Sequence, residues 1–278
     1  MTVCIASICR DSGGDCIVGL TDKMLSMSTA SADDLAIKFT SVGDRWVAMF
    51  AGNDISPVVP VFKTVRSSVS RHPQETLEEI VDLFTTAIRK ERTKRAEAIV
   101  LSRFDLDMAE FRREGLANLG SELFTRLAYE IEQVSLDLTF LVYGFEGTEN
   151  PQPHIFSING NGEVSYFDIG GFWAIGSGQT SALGTLFGTR SSVTYKELPD
   201  ALYLLAKAKF SAESALGVGK ETTALILQSD SERYLVHAPE MQKIKAVWEA
   251  ARGPDVPDAA DTVTSELLAK AKAEFGKD

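Results

Sequence analysis

Secondary-structure signals in this chain come in blocks, strands first, then helices, then strands again, and that order limits the folds open to it. TVCIASICR (2–10) alternates and is rich in β-branched residues, SGGD (12–15) reads as a turn, and CIVGLTDKM (16–24) reads as a second strand, so the two form a hairpin. AIKFTSVGDRWVAMFAG (36–52) repeats the arrangement around VGDR. From Asp54 the apolar period lengthens. SPVVPVFKTVRSSVS (56–70), PQETLEEIVDLFTTAIRKERTKRAEAIVL (73–101) and ELFTRLAYEIEQVS (122–135) have helical spacing, the second starting at Pro73 with an acidic first turn. The link at 102–120 is polar and partly helical, and RKERTKRAE (89–97) reads as a solvated helix face. Strands return at 138–147, 153–160 and 163–178, with NGNG (159–162) as a tight turn between the second and third. Helices follow at 179–190 and 198–214, strands at 222–229 and 233–238, and a helix at 239–252. Segregated blocks favour antiparallel sheets with helices on their outer faces over an alternating parallel sheet. Two such sheets make an α+β fold, a four-layer αββα sandwich over residues 1–252. GPDVPDAAD then reads as a linker to a C-terminal helix within 253–278.

Composition narrows the function. A net charge of -11 over 278 residues argues against nucleic acid and anionic membrane surfaces, both of which demand basic patches. The start meets Arg10 and Asp11 too soon for a signal peptide, and no apolar run approaches a membrane span. Cys4, Cys9 and Cys16 are the only cysteines and read as reduced core fillers, which places the chain in a reducing cytoplasm. His72, His154 and His237 lie far apart, so no metal site is expected. GVGKETT fails as a phosphate loop, because Ser214 stands where its first glycine belongs and Glu221 follows the lysine; no cofactor is expected.

The chemistry centres on Thr2. Once Met1 is removed, Thr2 carries a hydroxyl and a free α-amine of pKa about 7.7–8.0, a nucleophile and its base on one residue. Asp22 ends the second strand, and Lys38 opens the third. A lysine near the hydroxyl would hold developing negative charge, and a carboxylate beside it would keep it charged and oriented. Gly52 ends the fourth strand, either as a plain turn glycine or as a backbone oxyanion donor. Ser177, in AIGSGQTSALG, stands at a strand-to-helix corner where it either orients the amine or caps the helix.

These segments, MTVCIA, IVGLTDKM, AIKFTSVGDRWVAMFAGND and AIGSG, resemble the proteasome β-subunit family of N-terminal nucleophile hydrolases over residues 2 to about 245. The resemblance implies the αββα sandwich of that family, Thr2 as nucleophile, Lys38 as catalytic lysine and Asp22 as its strand-end aspartate. Gly52 falls on the oxyanion glycine and Ser177 on the serine of the GSG motif. Met24 stands where the family has a small or basic residue, and Glu213 and Ser214 are imperfect matches for a further aspartate and serine. The implied activity is a threonine-type peptidase acting on peptide or unfolded protein, in a closed homo-oligomer, with any unfoldase partner left open. Two rivals are an amidohydrolase of small amides and an inert scaffold that keeps Met1. The region from about 80 to 135 is longer than the family's helix pair. Apolar groups in EAIVLSRFDL and EGLANLG exceed what one helix face absorbs and are expected to serve a subunit contact.

Overall fold

Strands β1 (Val3–Asp11) and β2 (Gly14–Asp22) are buried along nearly their whole length, which requires cover on both faces. The computed structural model describes residues 2–26, 31–32, 38–69, 76–189 and 195–251. Met1, His72, Pro73 and the terminal helix expected within 253–278 lie outside them. β1 and β2 pair as the expected hairpin, from Cys4 opposite Thr21 to Asp11 opposite Gly14. With β10 (Phe172–Gly176), β11 (Thr222–Gln228) and β12 (Arg233–Val236) they form a five-stranded antiparallel sheet in the order β10-β1-β2-β11-β12. A second, also antiparallel, runs β5-β6-β7-β8-β9: β5 (Thr40–Val42), β6 (Trp46–Gly52), β7 (Leu138–Glu146), β8 (Gln152–Asn159) and β9 (Val164–Tyr166). A two-residue ribbon, β3 (Leu25–Ser26) with β4 (Ser31–Ala32), lies between them in sequence.

Alternation along β1 shows how the layers stack. Cys4, Ala6 and Ile8 point between the sheets, where they meet Val47, Met49, Leu141, Tyr143 and Phe145 of the second sheet. Val3, Ile5 and Cys9 point the other way, into a core shared with α4 (Gln179–Phe187), α5 (Leu198–Ala212) and α6 (Ala238–Ala251). The outer face of the second sheet is covered by α1 (Val58–Val69) and α2 (Leu77–Ala96), around Phe62, Phe84 and Phe140. Three cores separate four layers, so the fold is the αββα sandwich expected from the block order. All three cysteines are free and buried, with the thiols of Cys9 and Cys16 facing each other 2.8 Å apart across the hairpin.

α2 begins at Leu77. Thr76 is its N-cap, its hydroxyl accepting from the Glu79 N–H while the Glu79 carboxylate accepts from the Thr76 N–H. This capping box sets the start later than the acidic first turn after Pro73 suggested. The charged run at its end is partly engaged rather than simply solvated: Arg95 pairs with Asp54, and Arg92 donates to the carbonyls of Val134 (2.5 Å) and Glu132 (2.7 Å).

Beyond Ala96 the helix widens into a π turn (Glu97–Leu101), and α3 (Met108–Gln133) returns, broken at Gly120 with φ 75° and ψ 162°. Leu123, Leu127 and Ile131 pack against Val100, Leu101 and Phe111 in a small core that includes no strand residue. Leu77, Ile80, Val81, Phe84 and Ile88 of α2 do pack on the sheet. Most of the surplus apolar groups are thus absorbed within the extension itself, leaving Ile99 and Leu116 more than half exposed.

Between the sheets, the buried Tyr143 hydroxyl has no hydrogen-bond partner among the described residues, whereas Phe140 fills the core beneath α1 and α2. Tyr143→Phe is therefore expected to be neutral or stabilising and Phe140→Ala to cost about 3–5 kcal/mol, both read by urea denaturation. Strong destabilisation by Tyr143→Phe would contradict this packing.

Candidate active site

Antiparallel pairing brings the start of β1 and the ends of β2 and β10 to one edge of the first sheet, with Val3 opposite Gly176 and Cys4 opposite Thr21. The end of β6 and the start of β7 meet at the corresponding edge of the second sheet, with Gly52 opposite Leu138. Thr2 sits where these edges converge, 3% exposed. Its hydroxyl accepts a hydrogen bond from the Lys38 ammonium and donates one to the Asp22 carboxylate. Lys38 Nζ also lies 3.1 Å from both Asp22 oxygens.

The Asp22 carboxylate is completely buried, which for an ion demands compensation. Besides Lys38 and Thr2 it accepts backbone N–H bonds from Val3 (2.9 Å), Met24 (3.1 Å) and Gly219 (3.2 Å). Lys38 is 2% exposed and is held by this carboxylate against the Thr2 hydroxyl. Cys4 lies just behind. Its thiol touches the Thr21 hydroxyl (3.3 Å), and burial pushes its pKa up to about 11 against the pull of the Lys38 charge. That thiol stays protonated at neutral pH and does not compete as a nucleophile.

Ser177 joins the site from the corner that follows β10. The Thr2 N–H donates to Ser177 Oγ (3.3 Å), Ser177 Oγ–H donates to the Thr2 carbonyl (3.4 Å), and the Gly178 N–H approaches the same carbonyl (3.3 Å). Ser177 therefore holds both backbone groups of Thr2, while the N-cap position of α4 belongs to Gly178. Gly176 makes this approach possible: its φ is +98°, and a Cβ there would sit 2.2 Å from the Thr2 carbonyl oxygen.

Thr2, Gly52, Gly176 and Ser177 open onto a cavity of about 530 Å³. The Gly52 backbone forms part of its wall and has no room for a side chain, since a Cβ would lie 2.3 Å from the Asp137 carbonyl oxygen. Every one of the expected residues, Thr2, Asp22, Lys38, Gly52 and Ser177, is brought to this one place.

Glu213 and Ser214 are not. Ser214 caps back onto the Ser211 carbonyl (3.0 Å), and Glu213 bridges Lys209 (2.6 Å) and Lys245 (2.6 Å) beside a separate cavity of about 650 Å³. Lys209 is fully buried; burial pushes its pKa down and Glu213 opposes that. It also donates to the Lys220 carbonyl (3.0 Å), which secures the loop that delivers the Gly219 N–H to Asp22. The backbone donors of Val3, Met24 and Gly219 escaped the sequence reading, because an amide's role carries no residue signature. The chain matches no protein-family model, and no curated protein is similar to it.

The two halves of the buried ion pair differ in what each leaves behind. Lys38→Ala leaves Asp22 with three backbone N–H donors, whereas Asp22→Ala leaves the Lys38 ammonium, among the described residues, facing the Thr2 hydroxyl alone. Urea denaturation is expected to show a loss of about 3–5 kcal/mol for Asp22→Ala and a clearly smaller one for Lys38→Ala. The reverse order would mean that the N–H groups do not support the carboxylate.

Proposed function

We propose that the protein is a threonine-type hydrolase of peptide bonds that acts once Met1 has been removed. The observation that carries this reading is the Thr2 hydroxyl, bonded to a buried lysine–aspartate pair at the wall of a cavity. A buried ion pair contributes little to stability for its own sake. Its placement on the hydroxyl of a residue that becomes the N-terminus gives it a chemical purpose.

Cleavage of the Met1–Thr2 bond leaves the Thr2 nitrogen as an amine at the place where its N–H now meets Ser177 Oγ. That amine takes the Oγ proton as Oγ attacks the substrate carbonyl carbon, and Lys38 stabilises the charge that builds on Oγ. The carbonyl oxygen becomes an oxyanion beside the Gly52 backbone, whose N–H is the assigned donor. Collapse breaks the C–N bond, and the proton held by the Thr2 amine passes to the departing amine. An ester on Thr2 Oγ remains. Water, deprotonated by the same amine, attacks that ester and releases the acid, restoring the hydroxyl.

The reading includes a closed, symmetric assembly of identical subunits around the cleavage sites. Its support is the outer helical layer, where Val59 (72%), Ile99 (57%) and Leu116 (57%) are more than half exposed. Purified protein is expected to carry Thr2 as its first residue and to cleave peptide amides. Thr2→Ala should lower that activity about 10³-fold or more, and Lys38→Ala about 10²- to 10³-fold. Full activity in Thr2→Ala, or complete retention of Met1 in the producing cell, would remove the hydrolase reading. Light scattering should report a multiple of 30.2 kDa; a monomer would leave the same chemistry directed at small amides.

A further inference from the structure

The lining of the Thr2 cavity differs from the apolar pocket that usually takes a substrate side chain. Leu136, Leu138 and Ala51 are nearly buried and turn their side chains into the cores, so they give the cavity mainly backbone. The lining also carries the polar side chains of Asn53, Ser135, Asp137, Thr139, Asn159 and Asn161, beside Thr2 and Ser177. Among the described residues of that lining, Asp137 is the one with a formal charge. Lys38, beneath Thr2, is 2% exposed and paired with Asp22, so it does not offset this charge within the cavity.

Asp137 is held firmly for a surface carboxylate. It is the middle residue of a tight turn in which the Leu138 N–H donates to the Leu136 carbonyl (2.7 Å). Its own carbonyl accepts the N–H groups of Asn53 (3.0 Å) and Asp54 (3.3 Å). Its side chain accepts from Asn53 Nδ2 through Oδ2 (2.9 Å), which leaves Oδ1 without a hydrogen bond among the described residues. The turn is tied to the opposite wall as well, because the Leu136 N–H donates to the Gly160 carbonyl (3.3 Å). On that wall Asn159 Nδ2 donates to the Glu163 carboxylate (2.6 Å), so a second acid stands close behind the lining. Arg92 supports the segment before Ser135 through the carbonyls of Val134 and Glu132 and is not part of the lining.

We propose that this cavity takes amide substrates carrying a positively charged group, an ammonium or guanidinium, beside the scissile bond, with Asp137 as the specificity-determining carboxylate. The proposal rests on the hydrolase reading above. Asn53 fixes one carboxylate oxygen and the other is left to accept from the substrate cation. The hydroxyls of Ser135 and Thr139 and the amide oxygens of Asn53 and Asn161 are left for the remaining N–H donors, which an apolar side chain could not use. Acidic substrates meet Asp137 with no neutralising side-chain cation in the described lining, the Thr2 amine being engaged in the chemistry, and are disfavoured.

The test uses mature full-length protein and matched peptide amides with lysine, norleucine or glutamate at each position flanking the cleaved bond. Lysine should be preferred over norleucine by about 3- to 30-fold in kcat/KM at one flanking position, and glutamate should be the poorest. Asp137→Asn keeps the shape and the Asn53 contact, and should bring the lysine-to-norleucine ratio close to one. Cleavage without a lysine preference, or a preference that survives Asp137→Asn, overturns the proposal and leaves the hydrolase reading standing. If nothing is cleaved, calorimetric binding of the same peptides decides: tighter binding of lysine that Asp137→Asn removes supports the cation site while the hydrolase reading falls. Equal binding of lysine and norleucine overturns both.

Discussion

The Asp22 carboxylate is the group on which the rest of the site depends. It has no solvent to stabilise its charge, and it draws donors from four separate parts of the chain: Thr2 and Val3 at the start of β1, Met24 after β2, Lys38 before β5, and Gly219 in the loop before β11. A buried ion so surrounded has one low-energy arrangement, and a shift in any of these segments leaves charge or N–H unsatisfied. The same bonds that secure Asp22 aim Lys38 at the Thr2 hydroxyl. One network thus secures both the carboxylate and the Thr2 hydroxyl, and the four-layer sandwich brings its parts together by ending strands of both sheets at the same edge.

Much of this was legible in residue patterns. Alternation and turn residues placed β1, β2, β6 and β8 to within a residue or two, because strands buried on both faces leave long apolar runs bounded by SGGD, VGDR and NGNG. The residues that converge here could be picked out because Thr2, Asp22, Lys38, Gly52 and Ser177 stand at predicted strand ends. Ser177 shows the limit of that reasoning. Capping and orienting the Thr2 backbone were equally open from its position, and the geometry assigns it to Thr2 while Gly178 takes the cap.

The rest was hidden for physical reasons. Backbone donors such as Gly219 carry no side-chain signal, and their importance arises only when a distant carboxylate is folded against them. The apolar surplus between residues 97 and 120 was visible, but not its destination. A π turn and the break at Gly120 let α3 fold back on itself and on the Glu97–Leu101 turn, so Phe111 stacks on Phe124 (4.7 Å) within the extension. Asn159 and Asn161 read simply as turn residues, and Asp137 falls between the predicted helix 122–135 and strand 138–147. Their convergence on a cavity beside Thr2 follows from sheet order, which periodicity does not reveal.

The central claim is that Thr2 Oγ is a nucleophile, and covalent trapping tests it most directly. The mature protein would be treated with a peptide carrying an electrophilic carbonyl in place of the scissile amide, then digested and mapped by mass spectrometry. The account expects one adduct per chain, on the peptide that begins with Thr2, lost in Thr2→Ala and strongly reduced in Lys38→Ala. An adduct on another residue, or equal labelling of Thr2→Ala, would contradict it.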